Sequence, residues 1–125
     1  MPSLNFKRQF AEAVANGTKR QTIRARGKRA WKVGDTLHLF TDMRMGTCKR
    51  LGKATLLSMQ QIKVDVDTRS IHLEKTTSRD SYLAHLFDDE ALELVKADGF
   101  ATLDDFFAFF AQTHGRCVSG HLLKW

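Results

Sequence analysis

The chain has 125 residues, 42% hydrophobic and 27% charged, which is enough to bury a single core and is ordinary for a folded globular domain. Its longest apolar run, Phe106 to Ala111, is six residues, which excludes a membrane-spanning helix of about 18 or more. The net charge of +6 is concentrated: residues 1–53 carry 13 of the 20 Lys/Arg but 3 of the 14 Asp/Glu, a bias that suits an anionic partner, nucleic acid first among them.

Leu4 and Phe6 predict a short first strand. Phe6, Phe10, Ala13 and Val14 fall at i, i+4, i+7 and i+8, the apolar stripe of a helix from about Lys7 to Asn16. Gly17 stops that helix, because glycine reaches the left-handed conformation without a side-chain penalty. Gln21 to Ala25 reads as a strand with Ile23 facing the core, so alternation puts Arg20, Thr22 and Arg24 on its other face. A basic loop from Arg26 to Lys32 leads through the Val33-Gly34-Asp35 turn into a half-buried strand over residues 36–41. Beyond a second loop, Asp42 to Thr47, the runs Ala54 to Val66 and Arg69 to Lys75 predict two long strands joined at Asp67-Thr68.

The last third is helical. Asp88-Asp89-Glu90 supply acids for a helix N-terminus, and Gly99 ends that helix. Thr102 caps the next, with Asp105 at the capping-box position and Phe106, Phe109 and Phe110 as its core stripe. Val118 to Trp125 predicts a closing strand. One domain over residues 1–125 is expected, of the α+β class, its strands numerous enough to curl into a small, mostly antiparallel β-barrel flanked by helices. The opening residues lack the apolar core of a signal peptide. Cys48 and Cys117 have no CxxC spacing, so a cytoplasmic protein with reduced thiols is expected.

The chemistry gathers just after Gly17. Lys19, Arg20, Thr22 and Arg24 place an amine, a hydroxyl and two guanidiniums within six residues, where a chain leaving a helix is held firmly yet faces a cleft. The following loop mixes cations (Arg26, Lys28, Arg29) with Trp31, a composition suited to phosphates and a stacked base, although Trp31 equally suits plugging one end of a barrel. Cys48, between Arg44 and Lys49-Arg50, has neighbours that favour its thiolate and is either a pocket residue or a small buried side chain. His114, Cys117 and His121 offer mixed metal ligands without a regular second pair, so neither a metal nor a cofactor is expected.

Three blocks together resemble the activating-signal-cointegrator homology (ASCH) domain, a relative of the PUA fold. They are Phe6…Phe10…Gly17-x-Lys19-x-x-Thr22-Ile23-Arg24, then Gly34-Asp35-x-Leu37-x-Leu39 with Arg44, Cys48 and Leu51-Gly52. The third is Asp98-Gly99-Phe100…Phe106-Phe107…Phe110 with the terminal Leu123-Lys124-Trp125. The similarity spans nearly the whole chain and is nearest to small bacterial and phage-type members. It implies a PUA-like barrel with a cleft for RNA or a modified nucleoside. Some members are amidohydrolases that deacetylate N(4)-acetylcytidine with a lysine and a threonine of the G-x-K-x-x-T-I-R motif and a downstream glutamate. Lys19 and Thr22 match the first two, and the third falls on Asp98, a shorter acid.

Amide hydrolysis requires a nucleophile, a base and donors for the oxyanion. Thr22 supplies a hydroxyl, and Lys19 can take its proton only when the amine is neutral, which burial and the neighbouring cations favour and Asp98 opposes. Because positions 19 and 22 of a regular strand point to opposite faces, Lys19 must sit in the turn before the strand, or a bulge must separate the two. The competing readings are a non-catalytic RNA-binding module and a ribonuclease. Expected partners are RNA or a modified nucleoside, with no membrane, for a monomer or weak dimer.

Overall fold

The chain changes sheets at Leu56-Leu57, and that change organises the fold. A computed structural model describes residues 3–27 and 31–125, and in it the fold is α+β, with eight strands in two sheets and three helices. The first sheet has the order β1 (Ser3–Phe6), β3 (Thr36–Thr41), β4 (Lys49–Thr55). The second runs β2 (Gln21–Ala25), β8 (Cys117–Lys124), β5 (Ser58–Asp65), β6 (Ser70–Thr76), β7 (Ser81–His85). Only the β1–β3 pairing is parallel among the described strands. The helices are α1 (Arg8–Ala15), α2 (Asp88–Ala97) and α3 (Leu103–Thr113).

The run predicted as one strand over Ala54 to Val66 is two. Leu56 is buried and donates its N–H to Asp35 O, closing the β3–β4 sheet, while Leu57 donates to Lys124 O and starts the pairing of β5 with β8. An unbroken β-favouring sequence conceals this because the break lies in which partner is hydrogen-bonded, not in residue type. The expected hairpin is present as the antiparallel β5–β6 pair. Strand β7 is an addition: among the described strands it pairs only with β6, and Tyr82 and Leu83 are exposed, so it lacks the alternation that marks a half-buried strand.

Strand β8 sits between β2 and β5, and its Val118, Leu122 and Leu123 enter one core with Leu4, Phe6, Leu37, Leu39, Ile62 and Val64. Phe10 and Val14 are the buried residues of α1 and continue that core. Helix α2 keeps Asp88, Asp89 and Glu90 in its first turn and Lys96 in its last, both favourable to the backbone dipole. Thr102 caps α3 by accepting the Asp105 N–H at 3.1 Å. The phenylalanines of α3 pack edge-on with Phe10 and Phe100, as in the 5.6 Å Phe10–Phe109 and 5.4 Å Phe100–Phe106 pairs. This aromatic seam ties the C-terminal helices to α1 and forms one wall of the site.

Candidate functional site

Three chain segments converge to build the site: the turn between α1 and β2, the strand β2, and the α2–α3 connection. The turn is set by Gly17, whose φ of +82° ends α1; its N–H bonds to Val14 O, and the Lys19 N–H then reaches back to Ala13 O at 2.9 Å. Lys19 is thereby fixed before the strand begins, so its side chain and that of Thr22 enter one space although their spacing is odd.

Lys19 is only 3% exposed and Asp98 4%. Lys19 Nζ donates to Asp98 O and, at 3.1 Å, to Asp98 Oδ1, and it lies 4.9 Å from the centroid of the Phe10 ring. Asp98 is the C-cap of α2, so its carbonyl is one of the helix-end acceptors that needs a donor. The amine therefore satisfies a main-chain and a side-chain acceptor of the same residue. The short aspartate side chain suffices because the backbone carries it to the lysine. Burial is the largest influence on both partners: it pulls Lys19 below the usual lysine value against the pull of Asp98, and it pushes Asp98 above the usual carboxylate value against the pull of Lys19.

Arg24 is half-buried on β2. Its Nη2 donates to Asn5 O at 2.9 Å, its guanidinium lies 5.0 Å from the Phe6 ring, and its Nε is buried without a hydrogen-bond partner among the described residues. Burial lowers its pKa to about 10, so it stays charged at neutral pH. Thr22 is buried, and its hydroxyl has no hydrogen-bond partner among the described residues. Lys19, Thr22, Arg24 and Asp98 all line one cavity of about 260 Å³, at the small end for ligand sites. Phe6, Phe10, Phe100, Phe109 and Phe110 supply its apolar wall, and Lys7 and His114 also line it. A planar, hydrogen-bonding ligand with an electron-rich group near Lys19 and Arg24 suits this combination.

The other sequence candidates lie elsewhere. Arg20 and Arg26 are exposed on either side of the strand, and Arg44 is exposed along a shallower groove that shares Asn5 and Arg24 with the cavity. Cys48 is exposed and is not among the residues lining the cavity, which corrects its expected place as either a pocket or a small buried residue; its loop turns outward through the Cys48 N–H bond to Met45 O. Trp31 is partly buried and packs against the core. Lys28 and Arg29 lie outside the described residues. His114, Cys117 and His121 form no metal-binding group among the described residues, where no cluster of three such ligands occurs.

Two site residues were missed in the sequence. Gln21 is buried, donates to Leu94 O at 3.1 Å and helps hold the Asp98 pKa down against burial. His114 reaches the cavity from the end of α3. Its position four residues after Phe110 was the available signal, since i and i+4 share a helix face.

Gly99 is the tightest point of the site. It has a φ of +101°, and a Cβ there would lie 3.0 Å from the Phe10 ring and 3.4 Å from Lys19 Cδ. Gly99→Ala is expected to destabilise the protein by about 2 kcal/mol in urea unfolding, from backbone strain and displacement of Phe10.

Comparison with protein-family models, with curated proteins and with solved structures found no match. The functional reading therefore rests on the motif and on the cavity.

Proposed function

We propose that the chain is an ASCH-type domain whose two sheets correspond to a PUA-like barrel, and that it is a cytoplasmic amidohydrolase acting on N(4)-acylated cytidine or a similar modified nucleoside. The observation that carries the reading is the buried Lys19–Asp98 pair opening, with Thr22 and Arg24, into an aromatic-walled cavity. A neutral lysine amine has two N–H groups and one lone pair. With both hydrogens on Asp98 O and Oδ1, the amine keeps a lone pair for a proton, in this proposal that of Thr22, which lines the same cavity. This geometry leaves a base that is oriented by its acid.

In the proposed reaction Thr22 Oγ1 attacks the acyl carbonyl and its proton passes to Lys19 Nζ. Arg24 faces the negative charge that develops on the carbonyl oxygen. The C–N bond then breaks, the Lys19 proton goes to the departing N4 amine, and cytidine leaves. Water, deprotonated by the regenerated Lys19 amine, attacks the acyl ester, the acyl–Oγ1 bond breaks, and the Lys19 proton returns to Thr22 Oγ1 as the carboxylic acid leaves. Asp98 holds the amine in position throughout and stabilises its transient positive charge.

The test is incubation of the protein with N(4)-acetylcytidine while cytidine and acetate are followed. Stoichiometric release of both, with kcat rising as Lys19 deprotonates with increasing pH, supports the reading. No release from either the free nucleoside or an RNA carrying it contradicts it.

A non-catalytic RNA-binding role has one observation in its favour. Arg20, Arg26, Arg44, Lys49, Arg50 and Lys53 are exposed in the basic first half of the chain. RNA binding through that surface is expected to weaken steeply with salt, with one unit of log–log slope lost for roughly each phosphate contact removed. Salt-sensitive binding unaffected by Thr22→Val, in a protein without turnover, favours the module over the enzyme. Among the described residues no helix is long and apolar enough to cross a membrane.

A further inference from the structure

His114 lines the cavity, yet the chemistry above leaves it unused. Its ring stacks on Phe110, with centroids 5.1 Å apart and planes 25° apart. Its Nδ1 lies 2.7 Å from Thr113 Oγ1, and the same hydroxyl donates to Phe109 O at 2.8 Å. A threonine hydroxyl has one hydrogen, and a carbonyl oxygen can only accept. Both short contacts are satisfied when Thr113 gives its hydrogen to Phe109 O and receives one from Nδ1. The neutral ring then carries its proton on Nδ1, and Nε2 is a bare lone pair with no hydrogen-bond partner among the described residues.

We propose that His114 is a specificity-determining residue of this cavity: its Nε2 accepts a hydrogen bond from an N–H of the bound nucleoside, so ligands presenting a donor are selected over those alkylated at that nitrogen. The inference rests on the nucleoside reading given above. In an N(4)-acylated cytidine the donor is the amide N–H at N4, which would place His114 across the scissile bond from Thr22.

The charged groups facing the ring are Lys7, just before α1, and Arg24 on β2, with Lys19 and Asp98 lining the same cavity. Partial burial, then Arg24 and Lys7, lower the His114 pKa below the usual histidine value, so the accepting form holds at neutral pH. Protonation in acid converts Nε2 to a donor facing the ligand's donor. Recognition is therefore lost as pH falls through the His114 pKa.

Steady-state kinetics of wild type, His114→Gln and His114→Phe across pH test this. At neutral pH, His114→Phe is expected to raise KM for N(4)-acetylcytidine roughly tenfold with kcat within about twofold, the effect of one lost hydrogen bond in binding. Wild-type KM is expected to climb in acid, whereas His114→Gln, whose amide oxygen accepts without titrating, stays flat. N(4)-acetyl-N(4)-methylcytidine, which has no N–H, is expected to show the same KM with wild type and His114→Phe. Nitrogen-15 NMR of the wild-type imidazole, which needs no ligand, is expected to show the proton on Nδ1. A proton on Nε2 overturns the inference whatever the protein hydrolyses. Turnover by wild type with KM unchanged in His114→Phe overturns it alone. Neither binding nor turnover of N(4)-acetylcytidine by wild type overturns it together with the nucleoside reading.

Discussion

The Thr22→Val variant is expected to fold as stably as the wild type and to release cytidine from N(4)-acetylcytidine at less than about a thousandth of its rate. The two halves of that expectation come from one observation. Thr22 is a buried residue whose hydroxyl opens to the cavity and is bonded to nothing among the described residues, so exchanging it for a methyl of the same shape removes no internal hydrogen bond. Valine also favours a strand, and the stability change is expected to stay within about 1 kcal/mol. Activity behaves differently because the hydroxyl is the group that forms the bond to the acyl carbon. Thr22→Ser keeps the oxygen and is expected to retain measurable turnover. A Thr22→Val loss of only a few-fold would mean that water attacks directly and Thr22 merely lines the cavity.

The second large effect is on stability. Removing one member of a buried ion pair strands the other, at a cost of about 3–5 kcal/mol, whereas replacing both is close to neutral. Lys19→Met and Asp98→Asn are each expected to fall in that range, and the double variant, which strands no charge, to cost less than either single. The two single variants are further distinguished by the sign of their pH dependence. In Lys19→Met the lysine no longer opposes the burial that raises the Asp98 pKa. The folded state then holds that proton at pH values where the unfolded chain has lost it, so stability falls as pH rises above the ordinary value of 3.8. In Asp98→Asn the carboxylate no longer opposes the burial that lowers the Lys19 pKa. The folded state then sheds its proton before the unfolded chain does, so stability rises with pH toward the ordinary 10.5. Urea unfolding at several pH values reads both slopes. Slopes of the same sign in the two variants would show that the two groups do not share one desolvated site.

Much of this was legible in the chain because local rules coincide with the fold. The α1 stripe, the Gly17 stop, strand β2 and the Thr102 cap follow from periodicity and turn chemistry within a few residues of each position, while the pairing of Lys19 with Thr22 is what the family resemblance implies. The distant partner was legible only through the family resemblance: nothing near Asp98 in sequence says that a helix-end carboxylate will meet a lysine 79 residues earlier. The sheet change at Leu56 was hidden because Leu56-Leu57 carries no Gly, Pro or turn residue to mark it. Strand β7 was hidden because an edge strand with exposed Tyr82 and Leu83 buries no face to betray its period. Cys48 misled in a different way. Its basic neighbours made it look chemically poised, but charge along the sequence does not say which way a loop turns.

The central claim is that burial, against the pull of Asp98, keeps the Lys19 amine able to give up its proton at a working pH. Nitrogen-15 NMR titration of the Lys19 Nζ in the wild-type protein measures that directly. The account predicts deprotonation below 10.5, following the same pH curve as kcat. Titration at or above 10.5 would leave the amine charged throughout, with no lone pair for Thr22, and would contradict it.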